Sequence, residues 1–149
     1  MTVWRLQTNT DSKTGYKIAN YCIENNILAM GWSLKDEHLL EINDASVSQA
    51  ITKRGQISSF EDYSDFLSKY CIYGGKVNPN VKRFYYEIKE NDLIWIRSDG
   101  IYYLGRVTEK SHWLYNKSQT AFDLDASNQI TDIEWHKIGD ESDVPGAIT

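Results

Sequence analysis

Residues 92–107 read DLIWIRSDGIYYLGRV, with large apolar residues on either side of Ser98-Asp99-Gly100. Ile, Trp and Tyr favour strands, and an Asp-Gly pair between two such runs favours a tight hairpin turn. The stretch therefore predicts an antiparallel hairpin with strands at 92–97 and 101–107.

The middle of the chain, in contrast, predicts helices. Apolar residues recur at helical spacing over 60–71, behind a cap formed by Ser59 and Asp62. A shorter amphipathic helix is expected around 47–51, and another opens at Asn78-Pro79.

The other apolar runs predict strands at 3–7, 27–32, 112–115 and 130–138, with a short helix at 18–23. This order predicts an α+β fold: a curled antiparallel sheet or partial β-barrel, with helices packed outside and a helical insert between the second and third strands. A chain of 149 residues is expected to form a single domain, either complete or the N-terminal domain of a longer protein.

Composition excludes several classes of protein. Sixteen Lys and Arg against 21 Asp and Glu give a net charge of −5, which counts against binding duplex DNA through phosphates alone but leaves one basic face open. No run approaches the ~18 apolar residues of a membrane helix, and no signal peptide is visible. Cys22 and Cys71 lack His neighbours and are expected to be small buried hydrophobes in a reducing cytoplasm.

Three local stretches, in their order along the chain, resemble the PUA-like superfamily and in particular its EVE and YTH branches. They are the run 28–33 behind the first strand and helix, the run 90–95 with 102–107, and Trp113 followed by 133–135 and 144–146. The opening strand with Trp4-Arg5-Leu6, and the later Gly31-Trp32 pair, are similar to EVE-like domains of McrBC-type modification-dependent restriction subunits. Residues 44–87 lie outside the resemblance and look like an insertion.

The resemblance implies capture of a modified, methylated base in an aromatic cage. Unstacking a base costs a few kcal/mol, and stacking on aromatic faces returns about 1–3 kcal/mol per base. A Trp-Ser pair after the second strand forms one pocket wall in YTH-like domains, which implies a cage of Trp32 and Ser33. Trp113 and Tyr115 are candidates for a second wall, although each of these aromatics could instead belong to the core.

Polar and basic residues complete the predicted site. Thr8, Asn9, Thr10 and Asp11 follow the first strand, where YTH-like domains contact base or backbone, or they form a solvated turn. The expected phosphate contacts are Arg97 and Arg106, which share a hairpin, and the pair Lys82 and Arg83, although all four could be ordinary surface charges.

The sequence predicts neither an enzyme nor a cofactor or metal site. Its three His have no metal-binding spacing, and it has no Gly-rich phosphate loop. A metal-dependent nuclease using Glu87-Ile88-Lys89 with Asp62 or Asp65, or an RNA-processing activity, are weaker alternatives.

The expected partner is a modified nucleic acid, either DNA or RNA, and the resemblance to restriction subunits favours double-stranded DNA. An attached or associated NTPase or nuclease subunit of a restriction or defence system is also expected, and no membrane. Two alternatives stay open. A protein-interaction module would expose aromatics over a flat face, and a pocket for a free nucleotide would hold Arg or Lys inside a closed mouth.

Overall fold

The computed structural model describes residues 1–7, 17–39, 44–71 and 75–146. Within these residues the fold is α+β, as predicted. The strands form two sheets, helices lie between the strands along the chain, and the described strands do not close into a barrel. The strands are β1 (Val3–Arg5), β2 (Leu28–Met30), β3 (Leu93–Ser98), β4 (Ile101–Val107), β5 (Trp113–Tyr115), β6 (Asn128–Ile130) and β7 (Ile133–Gly139). The helices are α1 (Ile18–Asn25), α2 (Asp44–Arg54), α3 (Phe60–Tyr70), α4 (Pro79–Tyr86) and α5 (Gln119–Asp123), with 3-10 turns at Asp36–His38 and Glu141–Asp143.

The chain divides into two compact units, each assembled from separate segments. Unit 1 comprises Met1–Ala29, Tyr86–His112 and Ile130–Thr149, and unit 2 comprises Met30–Tyr85 and Trp113–Gln129. The predicted helical insert between the second and third strands is confirmed, because α2, α3 and α4 all lie between β2 and β3.

Unit 1 contains a four-stranded sheet in the order β1-β3-β4-β7. The predicted hairpin is confirmed: β3 and β4 pair antiparallel from Leu93↔Arg106 to Ser98↔Ile101. The expectation of an antiparallel sheet is wrong at one edge, since β1 runs parallel to β3 with Val3 opposite Leu93. Parallel pairing needs a long connection, and the helices between the two strands supply it.

Asp92 fixes this parallel edge. Its buried carboxylate accepts hydrogen bonds from Thr2 N (2.8 Å), Trp4 Nε1 (2.9 Å) and Lys89 N (2.9 Å). Burial favours the neutral acid, but the donated bonds outweigh it and lower the pKa of Asp92 below its usual value. One charged side chain thus joins the start of the chain to the base of the hairpin.

The predicted closing strand 130–138 is wrong as a single element. It is split into β6 and β7, which belong to different sheets, because Asp132 between them has a left-handed backbone (φ 53°). Asp is one of the few residues that adopts this conformation at small cost, so an apolar pattern that runs through it does not show the break.

The core of unit 2 forms around α3. The predicted apolar face is confirmed by burial of Phe60, Tyr63, Phe66 and Leu67, and Ser59 Oγ accepts the predicted cap bond from Asp62 N at 3.1 Å. The buried cluster comprises Leu34, Leu39, Ala50, Ile57, Phe60, Tyr63, Phe66, Leu67, Cys71, Val77, Val81 and Tyr115. The strand order of the second sheet is β2-β6-β5.

Both cysteines are free and buried, as predicted. Burial raises the pKa of the Cys22 thiol to about 12 and that of the Cys71 thiol to about 11. Both are therefore unreactive thiols at neutral pH. Among the described residues, no helix has the length and apolar character needed to cross a membrane.

Candidate functional site

The backbone after β2 is strained. The strand ends at Met30, two residues earlier than predicted, and Trp32 (φ 62°) and Leu34 (φ 61°) both adopt the left-handed conformation. This conformation costs of order 1–3 kcal/mol for a residue other than Gly, and it persists only where surrounding structure enforces it. We call residues 31–34 the Trp32 loop.

Side chains hold every carbonyl of the Trp32 loop. Because the loop forms no strand or helix, its backbone groups need partners from elsewhere in unit 2. The donors are Asn128 Nδ2 to Gly31 O (2.7 Å), Tyr63 Oη to Trp32 O (2.8 Å), Tyr115 Oη to Ser33 O, and Arg54 Nη1 to Leu34 O (2.9 Å). Each residue of the loop, including the two with positive φ, is therefore fixed by a side-chain hydrogen bond.

Ser33 and Asp125 fix the centre of the loop. Ser33 is fully buried; its Oγ accepts from Ser127 N at 3.0 Å, and its N–H donates to Asp125 Oδ1 at 3.0 Å. The other carboxylate oxygen of Asp125 lies 2.6 Å from where a Cβ on Gly31 would be, so a side chain at position 31 would collide with it. Gly31 therefore leaves room for the Asp125 carboxylate in its present position.

Trp113 belongs to an aromatic cluster with Phe60, Tyr63 and Tyr85. Its ring meets these three edge-on, at centroid distances of 5.3, 6.0 and 5.9 Å respectively. Tyr85 stacks flat on Phe60 at 4.0 Å. Trp113 is half-buried and Tyr85 is 38 % exposed, so this cluster reaches the surface.

Asn128 connects the Trp32 loop to the aromatic cluster. It is fully buried, its Nδ2 donates to Gly31 O and to Tyr63 Oη (3.3 Å), and its Oδ1 accepts from Trp113 Nε1 (3.2 Å). The backbone before Trp32 and the indole of Trp113 are thus bonded to the same side chain.

The structure separates the four predicted cage residues into two pairs. Trp32 is 37 % exposed and Trp113 half-buried, so both can present ring surface to a ligand. Ser33 and Tyr115 are buried, and their hydroxyls are engaged within the protein. Burial raises the pKa of Tyr115 above its usual value, which keeps its hydroxyl a donor to Ser33 O. Ser33 and Tyr115 therefore support the loop and do not line a pocket.

The predicted phosphate contacts lie in different units. Lys82 and Arg83 are exposed on α4, the helix that carries Tyr85. In unit 1 the register places Arg97 and Arg106 on one face of the hairpin, but Arg106 Nη2 already donates to Glu134 (2.8 Å). Arg97 is exposed and lies over the Tyr102 ring at 5.5 Å. The predicted contacts at 8–11 lie outside the described residues.

A groove along α2 and α3 lies in the same unit as the Trp32 loop. It encloses about 340 Å³ and contains Lys53 and Lys69 together with Asp62 and Asp65. The mixed charges do not make the basic lining that the phosphates of a free nucleotide require. Among the described residues, no three His, Cys, Asp or Glu side chains come together as metal ligands.

The sequence did not single out Asn128, Asp125 or Tyr63 as site residues, and it offered Arg54 only as a phosphate contact, not as a donor to the Trp32 loop. Tyr63 was expected only as part of the apolar face of α3. The partners of the Trp32 loop lie 20 to 97 positions away along the chain, so no local pattern could reveal them.

The chain was compared with protein-family models, curated proteins and solved structures, and it matches none of them. Function must therefore be inferred from the site itself.

Proposed function

We propose that this chain is a non-catalytic recognition domain of the PUA/EVE-like kind that binds one modified, methylated base of DNA against Trp32. One observation carries the proposal: an exposed Trp is held in a costly backbone conformation by side-chain bonds to every carbonyl around it. Strained residues that their surroundings enforce cluster at functional sites. A Trp that served only to fill the core would need neither the strain nor the exposure.

The energetics fit an extruded base. A base stacked on an aromatic face recovers about 1–3 kcal/mol, comparable with the few kcal/mol needed to unstack it. A methyl group then adds apolar area to bury on the indole and favours the modified base over the unmodified one. In the proposal Trp32 is the stacking surface, and Trp113 forms the second wall.

Rigidity of the support favours selective binding. Because the Trp32 loop is already fixed, binding need not order it, and less of the stacking energy is lost to conformational entropy. Side chains of the protein already donate to the loop carbonyls, so a ligand would contact the indole and the polar atoms next to it.

Phosphate contacts in the proposal come first from Lys82 and Arg83, on the helix that also carries Tyr85 of the aromatic cluster. Arg97 and Arg106 lie in unit 1, so the proposed site in unit 2 does not depend on them, and Arg106 is already paired with Glu134. Two such contacts give modest, salt-dependent affinity, so selectivity depends on the base. The role as specificity module of a restriction or defence system, beside an NTPase or nuclease subunit, rests on the sequence resemblance.

The test is binding to short fluorescent duplexes that carry one modified cytosine or adenine, against the unmodified duplex, at physiological salt. We expect tighter binding to one modified duplex and about 10- to 100-fold weaker binding by Trp32→Ala, which removes one stacking surface. A 2-aminopurine next to the modified base should brighten on binding, because extrusion of its neighbour unstacks it.

Ile51→Ala is the matched control. Ile51 is 41 % exposed and lies in the same unit, so this variant removes a similarly exposed apolar side chain without touching the Trp32 loop. Equal, weak binding to every duplex, unchanged by Trp32→Ala, would contradict the proposal. The alternative would then be a protein-binding surface around exposed Tyr85, tested by whether Tyr85→Ala and Trp32→Ala weaken capture of the same partner.

A further inference from the structure

The Asp125 carboxylate contacts the residues on either side of Trp32 in the chain. Oδ1 accepts from the N–H of Ser33, the residue after Trp32, and Oδ2 occupies the space next to Gly31, the residue before it. Asp125 is only half-buried. Within the described part of the chain, no donor is bonded to Oδ2, so this oxygen retains free acceptor capacity.

The charge of Asp125 limits what can bind against Trp32. A carboxylate repels phosphate and the carbonyl edge of a base, and at close range in a partly dry site that repulsion is substantial. It attracts groups that carry N–H donors. Cytosine and adenine present an exocyclic amino group where thymine presents a carbonyl oxygen.

We propose that Asp125 Oδ2 accepts a hydrogen bond from the exocyclic amino group of the bound base. This inference rests on the proposed function and deepens it, because it favours bases that carry an exocyclic amino group, such as cytosine and adenine, over thymine, which has none. A bond to a charged acceptor discriminates by about 10- to 100-fold against a base that cannot donate it. In this proposal two residues recognise different parts of the base. Trp32 contacts the methyl group and the ring face, and Asp125 contacts the amino group.

A pair of oligonucleotides, compared in wild type and in a variant at Asp125, tests this bond. One duplex carries 5-methylcytosine opposite an abasic site, and the other carries thymine there. The two bases share the 5-methyl group and lack a pairing partner. They differ along the pairing edge, where 5-methylcytosine has an amino group at position 4 and an acceptor at N3, and thymine has a carbonyl at position 4 and an N–H at N3. Wild type should prefer 5-methylcytosine by about 10-fold or more.

The decisive variant is Asp125→Asn. Asn is isosteric, can keep the acceptor for Ser33 N, and tolerates the left-handed backbone of residue 125 (φ 51°). It can place an amide donor where Oδ2 was, so the preference should fall to parity or invert towards thymine. Circular dichroism and the midpoint of urea unfolding establish that the variant folds. If it does not fold, Asp125→Ser, which also removes the charge, takes its place.

The outcomes separate the two proposals. If Asp125→Asn keeps the wild-type preference while Trp32→Ala abolishes binding, the amino-group contact is overturned and base binding stands. If no oligonucleotide binds in a Trp32-dependent way, both are overturned. Trp32-dependent binding of a trimethyllysine peptide in that case would identify a ligand cation as the partner of Trp32 and Asp125.

Discussion

Two bends of the chain contain residues with positive φ, but different residue types adopt these angles in the two places. The turn of the β3–β4 hairpin and the Trp32 loop each contain two residues with positive φ. In the hairpin these are Asp99 (52°) and Gly100 (78°), residues that adopt such angles at little cost. In the loop they are Trp32 and Leu34, which adopt them only under constraint.

The difference shows where local sequence is sufficient. The hairpin turn needs no outside help, and a Cβ added at Gly100 would meet nothing within 4 Å. The Trp32 loop is held by side chains from α2, α3, β5 and β6. The energetic cost of positive φ in the two regions can be compared by measuring how mutations there change the free energy of unfolding.

The largest effect is expected from Asn128→Ala, which breaks the connection between the loop and the aromatic cluster. It leaves Gly31 O and Trp113 Nε1, both in part-buried bonds, without these partners, and an unpaired group costs up to about 1–3 kcal/mol, so unfolding free energy should fall by about 3 kcal/mol. Urea unfolding measures the change. Gln119→Ala, which removes an exposed bond to Asp123, should change it by less than about 0.5 kcal/mol. A loss for Asn128→Ala as small as the control's would show that the loop is not held this way.

Next in size is Asp92→Asn at the base of the hairpin. At pH 7 we expect a loss of about 2 kcal/mol, because an amide cannot accept all three bonds that the carboxylate accepts. The pKa of Asp92 is lowered on folding, so its contribution is complete above the unfolded pKa of about 3.9 and is lost as pH falls through the lower folded value. The gap between wild type and variant should therefore shrink between pH 5 and the most acidic pH at which both still fold. A constant gap would contradict this account.

The turn itself should respond less. Gly100→Ala places a Cβ in open space, so only the backbone conformation is penalised, by about 1 kcal/mol. Gly100→Asn should lower the stability by only roughly a few tenths of a kcal/mol, since Asn tolerates positive φ. Thermal unfolding of the pair measures both, and equal losses would mean that something other than the backbone is responsible.

The smallest effect is the most diagnostic of strain. Trp32→Ala and Trp32→Gly both remove the indole, but only Gly relieves the left-handed backbone, so Trp32→Gly should be the more stable by about 0.5–1 kcal/mol. At Val47, inside α2, the order should reverse, with Ala more stable than Gly by about 1 kcal/mol. The same order at both positions would argue that the Trp32 loop relaxes when the ring is lost.

The sequence predicts the hairpin and α3 well because their determinants are local. Asp99-Gly100 encodes the turn, and the spacing of Phe60, Tyr63, Phe66 and Leu67 encodes a buried helix face. It misleads where a single residue interrupts a pattern, as at Asp132, and it extends β2 through Trp32 because a run of apolar residues does not show backbone angles. Likewise Ile51 falls on the apolar side of the amphipathic helix predicted around 47–51, yet it is 41 % exposed.

The candidate site is only partly readable from sequence. Trp32 and Trp113 could be proposed as wall residues from their positions. That Ser33 and Tyr115 are buried supports depends on bonds to Ser127 and to the loop itself, across long separations in the chain. Asp125 has no sequence signature, because its importance lies in packing against Gly31.

The parallel pairing of β1 with β3 also affects how the chain is made. Val3 pairs with Leu93, so the first strand leaves the ribosome about 90 residues before its partner, a delay of roughly 5–20 s at ordinary rates of synthesis. During that interval its edge has no native neighbour in the sheet, and Asp92, which binds Thr2 and Trp4, has not yet emerged. Assembly of unit 1 must therefore wait until residue 93 and the strands after it have been translated, and a nascent chain stalled before residue 93 would leave the segment around Val3 open to chaperones and proteases.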